Sequence, residues 1–519
     1  MAENQGRVIK SAKNMASGVI FRIISVLTAF AVRTVFIHCL SNDYLSVNGL
    51  YSSILSMLSL AELGFSTAMI YSMYAPLAKK DYKKLAQLID LYKRVYRIIG
   101  LVILGIGLCI VPFLDLLIKD APDIPGLTFY YLLFLANSVV SYLFFAYRNS
   151  ILQADQRAAV VSNYSTVFNL IKSGMQIVLL FAFHNFTIYL LTGIACTILQ
   201  NVALAVRVGK DYPIFGREER ERLPVPERKK IFKDVKALML QKISFKVLNT
   251  TDSLIISAFI GVSWVGLLSN YLLIMDAVVA VLSQITSAIT ASIGNFFAQE
   301  DREAGFRLFR RIEFMNYWLY GFCGVALALL LNPFIEIWIG TDYLLSRTVV
   351  IALAIRFFVE GFMNMMSTFR STMGLFTQGQ FLPPIVAALN IAVSIALSYP
   401  FGVAGVIIGT PVARCCINVW YNPWLIHKKG FGKPVGPFFR RYILRIALLI
   451  GSAVLLYAIF DLWLFAAGVG VLRFILALIL TLIVPNLILW LVYRRSDEFL
   501  YLKDVAMSLL AKVKKSRRG

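Results

Sequence analysis

Residues 21–36, FRIISVLTAFAVRTVF, read as the middle of a membrane-spanning helix, yet they carry Arg22 and Arg33 among apolar and small side chains. A guanidinium at the centre of a bilayer helix costs at least ~2.5 kcal/mol. Such a residue either faces a bundle interior or a wet cavity, or snorkels to the headgroups. At ~100° and ~1.5 Å per residue, the two arginines fall within about 20° of one helix face and ~16 Å apart along it. They form a one-sided cationic stripe, and the rest of the chain has to supply whatever that stripe faces.

With 519 residues, 59% hydrophobic and only 15% charged, and a mean hydropathy of +0.74, the chain is expected to be an all-α, polytopic membrane protein. The first apolar segment starts near Gly18 behind Arg7, Lys10 and Lys13. More spans follow it and no small-residue cleavage site does, so it is expected to stay in the membrane with a cytoplasmic amino terminus. A bilayer core of about 30 Å needs roughly 20 residues per helix. The sequence offers fourteen such segments, centred near residues 29, 60, 107, 139, 171, 197, 249, 281, 326, 359, 389, 414, 451 and 479.

The basic residues agree with that count. With both termini inside, the inner segments hold 41 of the 51 Lys and Arg, and the outer loops hold two, Lys119 and Arg347. That is the positive-inside asymmetry. The other eight lie within helices: Arg22, Arg33, Lys172, Lys242, Lys246, Arg356, Arg414 and Arg473. The net charge of +23 follows from inner loops such as residues 79–97 and 217–236, which orient the chain and attract anionic lipid headgroups. No nucleic-acid partner is expected.

Cys39, Cys109, Cys196, Cys323, Cys415 and Cys416 lie in or at the ends of apolar segments without paired spacing and read as small buried hydrophobes. His38, His184 and His427 are scattered. No metal site, P-loop, HExxH or GxSxG pattern is present, and no enzyme activity or cofactor is expected beyond a coupling ion, H⁺ or Na⁺.

A faint ordered repeat runs at an offset of about 220 residues: PFLDLLI from Pro112 with PFIEIWI from Pro333, Arg148 with Arg370, Gln156 with Gln378, Asn169 with Asn390, Ser173 with Ser394. Each copy holds six helices, an even number, so the copies share one orientation across the membrane. The expected organisation is a first six-helix lobe (1–209), a basic cytoplasmic linker (210–236), a second six-helix lobe (237–430), two further helices (431–495) and an amphipathic basic tail (496–519). The tail places Phe499, Leu502, Ala506, Leu509, Leu510 and Val513 on one face, which suits a helix on the inner membrane surface or one packed on the protein. Two like-oriented lobes are a frame for alternating access. The long outer domain that a membrane enzyme would use is missing.

The stripe on helix 1 has a counterpart on helix 7, where Lys242, Lys246, Asn249 and Ser253 follow i, i+4, i+7, i+11 spacing with Asp252 beside them; helices 2 and 8 add Glu62 and Asp276. A cavity lined by Arg and Lys favours an anionic ligand, and guanidinium suits phosphate. The bland alternatives stay open: Arg22, Arg33 and Lys242 snorkelling, Glu62 neutralising a neighbouring cation, and Arg356 with Glu360 as a local i, i+4 ion pair. Asp252 and Asp276 are too short to snorkel far, and either could take up a proton or Na⁺.

Residues 245–274, FKVLNTTDSLIISAFIGVSWVGLLSNYLLI, together with residues 63–100, resemble the polysaccharide-transport branch of the multidrug/oligosaccharidyl-lipid/polysaccharide (MOP) flippase superfamily, in particular its oligosaccharide repeat-unit flippases. The resemblance covers nearly the whole chain. It implies a bacterial plasma-membrane flippase that carries an undecaprenyl-diphosphate-linked repeat unit of a capsule or exopolysaccharide to the outer leaflet by alternating access, coupled to an ion. It also implies a cationic cavity receiving the diphosphate and sugars, a groove for the lipid tail at the last two spans, and polysaccharide assembly proteins as partners. By position and charge, Arg22, Arg33, Lys242, Lys246 and Asn249 match the substrate cavity, and Glu62, Asp252 and Asp276 match ion coupling or charge balance. An equilibrium scramblase, a multidrug extruder of the same superfamily, a membrane polysaccharide polymerase or ligase, and a non-transporting scaffold remain alternatives. Extruders usually have twelve helices and a carboxylate in the first, where this chain has two arginines.

Overall fold

The structure, a computed structural model, describes residues 23–62, 65–212, 223–299, 302–375, 378–466 and 468–516. It is helical throughout, with no strand among the described residues. Among the described residues, nine helices are long and apolar enough to cross a membrane, or eleven if two bent pairs each count as one span. All fourteen expected centres nevertheless fall in helical backbone. Three features explain why length and apolarity give a smaller number than fourteen, one of them being that the spans expected near residues 389 and 414 share a single element. The first expected span is a shorter apolar helix, α1 (Ile23–Cys39), and the second is broken into α2 (Asn42–Leu58), a 3₁₀ turn (Ser59–Glu62) and α3 (Phe65–Ala78).

The chain forms two compact units, Met1–Ser269 and Asn270–Gly519. In the first, α4 (Tyr82–Ile110) begins at Asp81, whose carboxylate accepts from the Lys84 amide at 2.9 Å and satisfies an end-of-helix donor. There follow α5 (Leu127–Leu143), the short α6 (Asn149–Ala154), α7 (Ala158–Phe183), α8 (Phe186–Asp211) and α9 (Val225–Ile255). The core joins α2 to α6 through Leu50, Tyr51, Met69, Leu88, Tyr131 and Ile151. A second cluster, with Phe36, Leu180, Phe186 and Leu190, packs α1 against α7 and α8. Lys119 ties the chain between α4 and α5 to the end of α9: its ammonium donates to the Phe259 carbonyl at 2.9 Å, and the Lys119 carbonyl accepts from Val262 N–H at 3.1 Å.

The helix α10 (Ser263–Gln299) leads into the second unit, which contains α11 (Arg302–Ile339), α12 (Arg347–Thr372), α13 (Leu382–Cys416), the short α14 (Asn418–Leu425), α15 (Gly436–Ile459), α16 (Val471–Tyr493) and α17 (Asp497–Ser516). Within α13 the backbone at Gly402 (φ 55°, ψ −136°) departs from helical geometry. The chain folds back there: Asn390 Nδ2 donates to Thr410 Oγ1 at 2.9 Å and Ser394 Oγ to the Val406 carbonyl at 3.1 Å, the pairing of an antiparallel hairpin. One continuous element therefore contains two of the expected crossings. The last two spans, α15 and α16, pack on α11 and expose Ile443, Ile450, Val454, Leu472, Ile475 and Leu482, an apolar outer surface suited to hydrocarbon. The protein is a multi-pass membrane protein.

The tail helix packs on the protein over its first turns. Phe499 stacks on Trp318 with ring centroids 5.6 Å apart, and Arg310 and Arg311 of α11 bond Glu498 and Asp497. The side chains of Ala506, Leu509, Leu510 and Val513 lie outside the described set, so the expected stripe is followed only to Leu502, which joins the α11 and α16 cluster.

Candidate functional site

Arg22 lies outside the described residues. Arg33, on the C-terminal half of α1, turns its guanidinium onto α10: Nη1 donates to Ser269 Oγ at 2.7 Å. The Ser269 hydroxyl gives its own proton to the Gly266 carbonyl at 2.7 Å, which leaves its oxygen free to accept from the arginine. One turn further along, Phe36 meets Tyr189 of α8 edge to face at 5.2 Å, fixing the rotation of α1 that aims Arg33 inward.

On α9, Lys242 Nζ donates to Thr67 Oγ1 of α3 at 2.5 Å, and Lys246, one turn on, is half-buried. The helix bends by 44° between Lys242–Leu248 and Thr250–Ile260, so Asn249 stands at the break, its side chain outside the described set. The cause is local. Thr250 and Thr251 each return their hydroxyl to the carbonyl four residues back, at 2.9 Å, a bond that competes with the helical ladder and bends it. Beyond the bend, Asp252 is buried in the first unit, whereas Asp276, in the second unit, is exposed.

Glu62 sits in the 3₁₀ turn between α2 and α3. Its carboxylate accepts from the Tyr96 phenol, which in turn accepts from Tyr92 at 3.0 Å, and it is hydrogen-bonded with Tyr142. No Lys or Arg forms an ion pair with it among the described residues, so the sequence alternative of Glu62 neutralising a neighbouring cation finds no support in the contacts described.

Two polar features were missed as a group. Ser165, Lys172 and Gln176 recur on α7 at i, i+7, i+11, the same kind of spacing that singled out α9. Each meets α8: Ser165 accepts from Gln200 at 3.2 Å, Lys172 lies beside Cys196, and Gln176 donates to the Tyr189 carbonyl at 3.2 Å. The other is in the second unit, where Arg445 of α15 and Glu313 of α11 form an ion pair, 3% and 4% exposed. In the sequence Arg445 counts among the inner-loop charges, because the apolar run of α15 becomes dense only after it. Its spacing from Arg441, i and i+4 on one helix face, was the available signal.

The repeat-matched arginines behave alike, each within its own unit. Arg148 Nη1 donates to the Ala205 carbonyl at 3.1 Å, and Arg370 Nη2 donates to the Gln378 carbonyl at 2.6 Å. The matched Asn169 and Asn390 have diverged. Asn390 is buried in the α13 hairpin network, while Asn169 is exposed on α7.

No protein-family profile and no curated protein matches the sequence. Solved structures do match in fold. One is described as lipid II flippase MurJ in an inward closed conformation, with a TM-score of 0.63 at 14% identity, over 90% of this chain and 99% of that one. Another is an inward-facing multidrug resistance MATE family transporter of the MOP superfamily, with a TM-score of 0.57 at 14% identity, over 78% of this chain and 96% of that one. At such identity the likeness establishes the fold alone, and that fold is the one the resemblance read from the sequence implies.

Proposed function

We propose that the protein is a lipid-linked oligosaccharide flippase of the bacterial plasma membrane, with both termini cytoplasmic. It moves an undecaprenyl-diphosphate-linked polysaccharide repeat unit from the inner to the outer leaflet by alternating access, coupled to H⁺ or Na⁺. The observation that carries this reading is the bonding of Lys242, an intramembrane cation held by the neutral hydroxyl of Thr67. A hydroxyl positions the ammonium without cancelling its charge, so the charge remains available to an anion. Arg33, directed at the Ser269 hydroxyl from α1, gives the same unit a guanidinium suited to a diphosphate. Arg22, Lys246 and Asn249 complete the proposed substrate site, and Asp252 and Asp276 serve charge balance or ion coupling. The protein's partners in this reading are the lipid-linked oligosaccharide, membrane lipids and polysaccharide assembly proteins.

The multidrug extruder is the second reading, favoured by the fold likeness to a MATE transporter. The two readings separate by ligand charge. In proteoliposomes, the flippase account expects translocation of a fluorescent polyprenyl-diphosphate oligosaccharide, inhibited by excess unlabelled polyprenyl diphosphate and unaffected by a lipophilic cation. Inhibition by the cation alone, with transport of that cation, would replace the account with the extruder.

A further inference from the structure

The two faces of α3 carry different chemistry. Phe65, Met69 and Met73 are buried in the core of the first unit. Thr67, Tyr71 and Tyr74, at i, i+4 and i+7, lie on the opposite face within about 60° of one another. All three are exposed, Tyr71 to 74% and Tyr74 to 45%. The two rings meet edge to face with centroids 6.0 Å apart. Tyrosine offers such a surface at low entropic cost, because only two χ angles have to be held.

This face is also where the Lys242 ammonium arrives from α9. It spends one of its three protons on Thr67 Oγ1, at 2.5 Å, and two remain for a ligand. The stripe therefore runs from a cation to two aromatic rings, which follow Thr67 by ~6 and ~10.5 Å along the helix axis. A tyrosine that only anchors a helix at the membrane interface shares its face with lipid-facing aliphatic side chains. Here the exposed positions of α3 beside the tyrosines are Thr67, Ala75 and Ala78, with no exposed Leu, Ile or Val. The contrast is with α15 and α16, whose exposed surface is built of those residues. Aromatic ring faces are electronegative, and the axial C–H bonds of a pyranose are polarised the other way, so the two stack. An ammonium followed by exposed phenol rings suits a phosphate joined to a sugar.

We infer that Tyr71 and Tyr74 form a sugar subsite, stacking on the hexose next to the diphosphate while the Lys242 ammonium holds a phosphate oxygen. The inference rests on the flippase reading and deepens it. A phosphate-binding cation alone treats loaded and unloaded carrier lipid alike. The rings let the protein prefer a glycosylated polyprenyl diphosphate to the bare carrier, so that binding signals a loaded substrate.

The test is binding of polyprenyl-diphosphate glucose, polyprenyl-diphosphate galactose and bare polyprenyl diphosphate to the full-length protein in detergent, with translocation of the same lipids in proteoliposomes. The wild type should bind at least one hexosyl lipid about three- to tenfold more tightly than the bare lipid. Tyr71→Ala should erase that ratio, and Tyr71→Phe, which keeps the ring, should retain most of it. Lys242→Ala should weaken all three lipids and leave the ratio standing. If Tyr71→Ala proves unstable, loss of the ratio in Tyr74→Ala decides. The inference is overturned if the wild type binds the three lipids alike, if both alanine variants keep the ratio, or if Tyr71→Ala weakens the bare lipid as much as the hexosyl lipids. A ratio that depends on Tyr71, in a protein that translocates none of the lipids, would uphold the sugar subsite and remove the flippase reading. Translocation without any ratio would do the reverse.

Discussion

The guanidinium of Arg445 lies 2.5 Å from each carboxylate oxygen of Glu313, tying α15 to α11 inside the second unit. The rings of Phe314, Tyr317 and Tyr493 enclose it at 5.1, 5.5 and 5.7 Å, and Tyr317 donates to the Arg445 carbonyl at 2.6 Å. Removing one member leaves the other charge buried without its partner, a loss of about 3–5 kcal/mol. Glu313→Ala should therefore lower the unfolding midpoint sharply. The double variant Glu313→Met, Arg445→Leu should recover most of that loss, because two apolar side chains of similar size need no pairing. A double variant as unstable as the single would mean the pair acts through something other than its charge.

The α13 hairpin depends on close backbone approach. A methyl group at Gly405 would lie 1.9 Å from the Leu397 carbonyl oxygen, which belongs to the opposite arm and cannot rotate away. Gly405→Ala should cost at least about 1–3 kcal/mol by overpacking and reduce the yield of monodisperse protein. Gly451 of α15 has open space around it, so Gly451→Ala should be neutral or stabilising by up to about 1 kcal/mol. Comparison of the two midpoints checks both statements.

The tail clamp should titrate. Arg311 donates to Asp497 from Nε and Nη2, each at 3.2 Å, and stands 4.2 Å over the Tyr501 ring. This hydrogen bonding holds the Asp497 carboxyl below the usual carboxylate range. A depressed native value means that the clamp's contribution is fully present above the ordinary aspartate range and is lost as pH falls through the lowered one. The pair is exposed, so salt should weaken it. A nitroxide on Leu500→Cys should gain mobility in strong acid or high salt, and Asp497→Asn should raise its mobility at neutral pH and remove the part of the acid response that this pair supplies, while Glu498 and Phe499 still hold the turn.

The helical class was legible because hydrocarbon imposes long apolar segments, and each expected centre lies in helical backbone. The 3₁₀ turn at Ser59–Glu62 was not, since it interrupts a span whose apolar run hydropathy reads as one helix, and the fold-back at Gly402 was seen as two spans without the side-chain pairing that joins them. Arg33 and Lys242 were visible in the sequence as charges within apolar helices, while their partners, Ser269 and Thr67, needed the packing of α1 on α10 and of α9 on α3. Lys172 was visible as a charge, but its company, Ser165 and Gln176 on one helix and Gln200 on the next, needed the α7 and α8 pairing to become a seam. Glu313 and Arg445 were hidden for a related reason: they sit 132 positions apart, and each looks like an ordinary inner-end charge until α11 and α15 meet.

The central claim is that intramembrane cations of the first unit receive an anionic lipid-linked headgroup. The most direct measurement is translocation of a polyprenyl-diphosphate oligosaccharide in proteoliposomes by the wild type, Arg33→Ala and Lys242→Ala at matched insertion. Loss of one charge-assisted bond to the diphosphate is worth about 1.5–3 kcal/mol, so each variant should lose about tenfold or more in rate while unfolding near the wild-type midpoint. Wild-type rates in both variants, or no translocation by the wild type, would contradict the claim.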